Sequence, residues 1–209
     1  MGIMKTSLAV IGTLLISTTV LAQDTSLSFF ITSNGSGNGA DLGGLAGADM
    51  ICKSLATAAG HGDKDWKAYL STIGDGGVNA KDRIGAGPWY NAKGVMVASS
   101  VADLHSDNNK LSKENSITEM GMVVNGRGDT PNMHDILTGT NLNGTAGPST
   151  CMNWTSSAET GGANVGHHDR TGGGANPTSW NNAHMSRGCS QPNLVATGGN
   201  GAFYCFAAN

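Results

Sequence analysis

Four cysteines, at positions 52, 151, 189 and 205, constrain this chain more than any other feature, and three of them crowd the last third. That third reads Cys151-Met152-Asn153-Trp154-Thr155, then Trp180-Asn181-Asn182, Cys189-Ser190-Gln191 and Phe203-Tyr204-Cys205-Phe206. An even cysteine count without a Cys-x-x-Cys pair suits two disulfides in an oxidising compartment better than a zinc cage or a redox pair. Three pairings satisfy that count, and spacing does not choose among them.

The start of the chain points to the same compartment. Lys5, an apolar run from Leu8 to Leu15 and Val20-Leu21-Ala22 before Gln23 have the form of a secretory leader. Thr13, Ser17, Thr18 and Thr19 interrupt the run, which falls short of the roughly 20 apolar residues of a spanning helix. Residues 1–22 are therefore expected to be a signal peptide, and residues 23–209 a single secreted or periplasmic domain that does not span a membrane. Those roughly 187 residues are enough to bury a core. With 32 glycines and 13% charged residues the domain is turn-rich and lightly charged. A net charge of -3 provides no electrostatic footprint for nucleic acid and no basic cluster for an anionic membrane.

Local patterns suggest an α+β chain. Leu27 to Thr32 is β-prone and ends in a Ser, Asn and Gly loop. From Leu45 to Ala59 apolar residues recur every three to four positions and Gly60 offers a stop, which predicts a helix carrying Cys52. Trp66 to Thr72 alternates as a half-buried strand does, and Arg83-Ile84 could pair with Val95-Met96-Val97. Pro88 places Trp89-Tyr90-Asn91 in a connection, and residues 99–150 read as long loops with short strands. Further strands are expected at Met152 to Ser156, near Asn164 to His168, and at Ala202 to Ala207.

Taken in order, Gly47-Ala48-Asp49-x-x-Cys52, Trp66-Lys67-Ala68-Tyr69-Leu70-Ser71, Asp82-Arg83-Ile84, Cys151-x-x-Trp154, Cys189 and Tyr204-Cys205 resemble the endostatin domain of collagens. More broadly they are similar to the C-type lectin-like superfamily, including its bacterial exported members. The resemblance spans roughly residues 28–208. It implies a twisted mixed or antiparallel sheet with an N-terminal helix, long loops and two nested disulfides, Cys52 to Cys205 and Cys151 to Cys189. Trp180-Asn181-Asn182 resembles the Trp-Asn-Asp signature of calcium-dependent lectins, with Asn at the third position. Residues 23–50 contain no His, so the N-terminal zinc site of endostatin is not carried over.

Several constellations could carry function. Trp89, Tyr90, Asn91, Trp180, Asn181, Asn182 and His184 are candidates for sugar binding, because an aromatic ring stacks on a sugar face while amides bind its hydroxyls. His167, His168 and Asp169 are candidate metal ligands, although on a strand the two histidines point to opposite faces. His134-Asp135, His184 and His105 could join them from other loops. Calcium and zinc are the ions these residues suit, and none is demanded by the sequence. Arg127, Gly128 and Asp129 spell Arg-Gly-Asp, an adhesion tripeptide that also suits a tight turn. No nucleophile elbow, His-Glu-x-x-His helix or phosphate loop is present. The leading expectation is an exported, non-enzymatic, lectin-like module binding a glycan or an extracellular protein. The alternatives are a metal-dependent hydrolase using the His/Asp cluster and an adhesive matrix protein using Arg-Gly-Asp.

Overall fold

A computed structural model describes residues 1–2 and 24–208. Apart from its first two residues, the leader expected over 1–22 lies outside them. The organising element is β8 (Gly199–Ala207), whose Phe203, Cys205 and Ala207 enter one apolar cluster while Ala202, Tyr204 and Phe206 enter another on the opposite face. Burial on both faces explains its near-continuous apolar sequence. Antiparallel β1 (Phe29–Ile31) lies on one edge; antiparallel β2 (Trp66–Ala68) and parallel β5 (Asp135–Leu137) share the other. Beyond β5 come β6 (Asn164–His167) and β7 (His184–Met185), giving the order β1-β8-β5-β6-β7.

The helix expected at 45–59 is α1 (Gly44–Ala58), with Ala48, Cys52 and Ala56 turned inward at helical spacing. Gly60, at φ 84°, follows its end as the sequence suggests. The disulfides are Cys52–Cys205, which pins α1 to β8, and Cys151–Cys189, with Cα separations of 5.6 and 5.7 Å. The chain is thus an α+β fold with two disulfides, in the pairing that the resemblance implied. Two further short helices are α2 (Val101–Leu104) and, after a left-handed turn described below as α3, α4 (Gln191–Thr197). Among the described residues no helix is long and apolar enough to cross a membrane.

Three local expectations are corrected. Residues 152–156 do not form a strand: Cys151–Trp154 make a single left-handed turn, α3, with φ of 47°, 53°, 56° and 68°. Such a turn costs L-residues about 1–2 kcal/mol each. It is held by side chains that leave it sideways. Thr150 Oγ1 accepts the Asn153 N–H, the Asn153 amide pairs with both the N–H and the carbonyl of Ile73, and the Trp154 indole donates to Ser71 O. Arg83-Ile84 does not pair with Val95 to Val97. Arg83 closes a 3-10 turn at Ala80–Asp82 and donates to Asp49 and Ala68 O, leaving β4 (Met96–Ala98) to pair with β3 (Trp89–Tyr90). Trp89, Tyr90 and Asn91, expected in a connection, form a strand and the turn after it and are buried. The Trp89 ring meets Phe206 edge-on at 5.2 Å and its indole donates to Ala207 O, while Asn91 accepts two backbone N–H groups of its own turn.

Candidate metal centre

Sheet register assembles the site. Asp135 and His167 are Cα partners in the antiparallel β5–β6 ladder, so their side chains emerge side by side on one face. His184 partners Val165, two residues before His167, and shares that face. Asp135 faces Gly199 across the parallel ladder, where no side chain competes for the space. His134 precedes β5 and lays its ring on that of His167, with centroids 4.1 Å apart and planes 15° from parallel.

Three imidazole nitrogens consequently surround one carboxylate oxygen. Asp135 Oδ1 lies 3.2 Å from His134 Nε2, 3.3 Å from His167 Nε2 and 3.6 Å from His184 Nε2. His167 Nε2 and His184 Nε2 are 2.9 Å apart. A tetrahedral ion bound at about 2.0–2.1 Å spaces its donors about 3.3–3.4 Å apart; the Asp135 contacts to His134 and His167 match that spacing, while His184 stands closer to His167 and outside the mutually close set of three. His134, Asp135 and His167 are buried, with donor atoms all within 4.8 Å of one another. One departure from a ready-made cage is the ring stack: two parallel rings aim their lone pairs side by side, so an ion shared by both tilts one of them.

The outer nitrogens are engaged as well. His167 Nδ1 donates to Pro177 O at 2.8 Å, His184 Nδ1 faces Met185 O at 3.3 Å, and His134 Nδ1 lies 3.4 Å from Asp169 Oδ1. The His167 and His184 contacts favour Nε2 as the metal-facing atom, as in metal-ligating histidines, whereas His134 Nδ1 makes no hydrogen bond. Both oxygens of Asp135 are buried without a hydrogen bond. A bare carboxylate in that position costs several kcal/mol, so the pocket calls for a cation or a proton. Burial depresses the His167 pKa, but Asp135 and the Pro177 carbonyl outweigh it and the net shift is upward. Asp169 is held well below the usual carboxylate range: burial opposes this, and the His134 contact and the N–H groups of Arg127 and Thr171 overcome it.

Glycines make the room. A Cβ on Gly172 would stand 2.9 Å from Cε1 of both His134 and His167, and one on Gly198 would stand 3.2 Å from His134 Cδ2. On the outside, a groove of about 450 Å³ is lined by His134, His184, Asn132, Arg127, Arg187 and Thr197, together with the Gly173-Gly174 segment.

Other sequence candidates fall elsewhere. His168, next to His167, points away as the strand argument requires, and its Nε2–H donates to Asn125 O. Asp169 braces His134 instead of joining the donor set, and Arg170 binds Thr178 O and Asn109. His105 is out of reach: its Nδ1 donates to Val101 O and its Nε2 accepts from Tyr69. Trp180 is core, against Tyr69 and Tyr204. Asn181 spends its amide on Tyr69 Oη, Asn141 O and Leu142 O and its carbonyl on Ser179, which leaves nothing for a calcium ion or a sugar. Asn182 accepts from Asn164. In the Arg-Gly-Asp turn Arg127 is exposed, while Asp129 pairs with Lys113 and accepts the Gly126 N–H. Of the predicted metal residues His167 meets His184 and the His134-Asp135 pair that the sequence allowed to join it, while His168, Asp169 and His105 stay out of the donor set. The unread signal was the set of glycines at 172, 198 and 199, which sequence marks only as turns. No protein-family model matches the chain, and a comparison with curated proteins finds no match.

Proposed function

We propose that the chain is an exported, lectin-like binding module that engages a glycan or an extracellular protein through a zinc-type ion held by Asp135, His134, His167 and His184. The observation that carries the reading is the convergence of three Nε2 atoms on one buried, hydrogen-bond-free carboxylate oxygen. Imidazole and carboxylate together suit zinc and its divalent neighbours, whereas calcium requires six or more oxygens. The two disulfides favour an oxidising compartment, and the motif order supports the lectin-like class. The saturated amide of Asn181 argues against the usual calcium-and-sugar loop, which moves the expected ligand to the metal groove.

Metal analysis of the purified protein tests this, with glycan-array binding measured in zinc and in chelator. One equivalent of zinc, lost in His167→Ala together with ligand binding, is the expected result. A protein that takes up no divalent transition metal refutes it. The second reading is a metal-dependent hydrolase, favoured by the groove that reaches His134 and His184 from solvent. Zinc-dependent turnover of model esters or glycosides, abolished in Asp135→Asn, would select it.

A further inference from the structure

The chain has four arginines. Two are committed to the fold: Arg83 binds Asp49, and Arg170 binds Thr178 O and Asn109. Among the described residues no carboxylate pairs with Arg127 or Arg187. Both are exposed, and both line the groove over the metal centre. Among the described residues no acidic side chain lines that groove, and Asp135 lies buried beneath it. Of the four donor side chains His184 is the accessible one, 25% exposed against 6% or less for the others, so an outside ligand meets the ion beside His184.

We infer that this groove takes an oxyanion, one oxygen entering the coordination of the ion beside His184 while Arg127 and Arg187 hold the group by charge-assisted hydrogen bonds. The inference rests on the metal reading, because the ion supplies the positive charge at the groove floor. It narrows the ligand to one bearing a carboxylate or a sulfate, such as an acidic glycan. The binding step forms one metal–oxygen bond and transfers no electrons or protons.

The test uses the full chain loaded with cobalt(II), whose visible spectrum reports its coordination. Sodium glucuronate, sodium sulfate and neutral galactose are titrated into the wild type, Arg127→Ala and Arg187→Ala. The expected result is a spectral change with an anion and none with galactose, and anion binding about tenfold weaker in each arginine variant. Whichever anion binds more tightly identifies the source of the oxyanion. A cobalt spectrum that ignores both anions, or responds equally in all three proteins, overturns this inference and leaves the metal reading standing. The absence of any protein-bound cobalt spectrum overturns both.

Discussion

Gly199 lies directly across the parallel ladder from Asp135, and a Cβ there would stand 2.7 Å from the Asp135 carbonyl oxygen and 3.1 Å from its Cβ. The missing side chain is what allows a charged residue to occupy a strand between two buried neighbours. Gly199→Ala forces β8 away from β5 and is expected to cost about 1–3 kcal/mol. Gly172→Ala separates site from fold, because its clash is with the rings of His134 and His167. At φ 129°, a conformation L-residues rarely adopt, it also costs the metal-free protein about 1–3 kcal/mol, while zinc affinity falls about 10–100-fold. Thermal melts and calorimetric zinc titrations of the two variants measure this; equal zinc affinity in Gly172→Ala and wild type contradicts it.

Removing the charge of Asp135 has opposite effects with and without metal. Without zinc, and at a pH high enough that His167 carries no proton for Asp135 to hold, Asp135→Asn replaces an unpaired buried carboxylate, so the variant melts at or above the wild-type temperature. Zinc at about 100 times its Kd stabilises the wild type by about 2.7 kcal/mol, about 5–10 °C for a chain of this size, and leaves the variant unmoved. A metal-free variant that melts well below the wild type counts against this account of Asp135.

His105 makes stability depend on pH. Burial lowers its pKa, an effect that Lys81 reinforces and the Val101 carbonyl opposes. The folded-state pKa therefore lies below the unfolded value of 6.5, and the native state binds fewer protons than the unfolded chain in the window beneath it. This contribution to stability is intact above 6.5 and is lost as pH falls from 6.5 towards the depressed folded value. Protonation also removes the lone pair that accepts from Tyr69 at 2.7 Å. Subtracting the melting curve of His105→Gln from that of the wild type, both in chelator, isolates the effect. A difference that stays constant from pH 7.5 to 5 rules it out.

The two disulfides differ in leverage and in access. Loop-closure arithmetic over separations of 153 and 38 residues gives upper figures of about 5 kcal/mol for Cys52–Cys205 and about 4 kcal/mol for Cys151–Cys189. Cys52 and Cys205 are wholly enclosed, whereas Cys151 and Cys189 border a surface groove that also exposes Met152. Limited reduction followed by alkylation and peptide mapping should therefore label Cys151 and Cys189 first.

Asn181 is a keystone of the loop packing. Asn181→Ala strands the Leu142 carbonyl, leaves the Asn141 carbonyl only its Gly144 N–H and weakens Tyr69, at an expected cost of about 2–3 kcal/mol in urea unfolding. Asn182→Asp, which restores the acid of the lectin signature, should confer no calcium binding in a titration, because Asn181 has no free group to offer. Millimolar or tighter calcium binding by Asn182→Asp would falsify that assignment.

What the sequence disclosed was whatever rests on short-range periodicity. The helix carrying Cys52 and the last strand were legible because their apolar spacing is local. The metal centre was legible only in parts. His134 and His167 stand 33 positions apart, and the ladder register that aligns Asp135 with His167 is a tertiary choice. Proximity in the run His167-His168-Asp169 misled: alternation sends His168 away and leaves Asp169 to brace another ring. Pro88 and the neighbouring glycines make Trp89 to Asn91 read as a connection, whereas Trp89-Tyr90 is a strand of the β3–β4 hairpin that folds onto β8. Nothing local distinguishes Cys151 to Trp154 from a strand, since its backbone is held by partners about 80 residues away.

In that segment the polypeptide takes the mirror image of its preferred coil. Three of its four residues are bound to their places by side-chain duties: Cys151 by its bridge, Asn153 by Ile73 and Trp154 by Ser71. Met152 has no such duty and is 78% exposed. Its chirality alone is mismatched, so at this position a residue of opposite configuration is the natural fit. A semisynthetic protein carrying D-methionine at 152 should unfold at a higher temperature than the all-L chain, and Met152→Gly should fall between them.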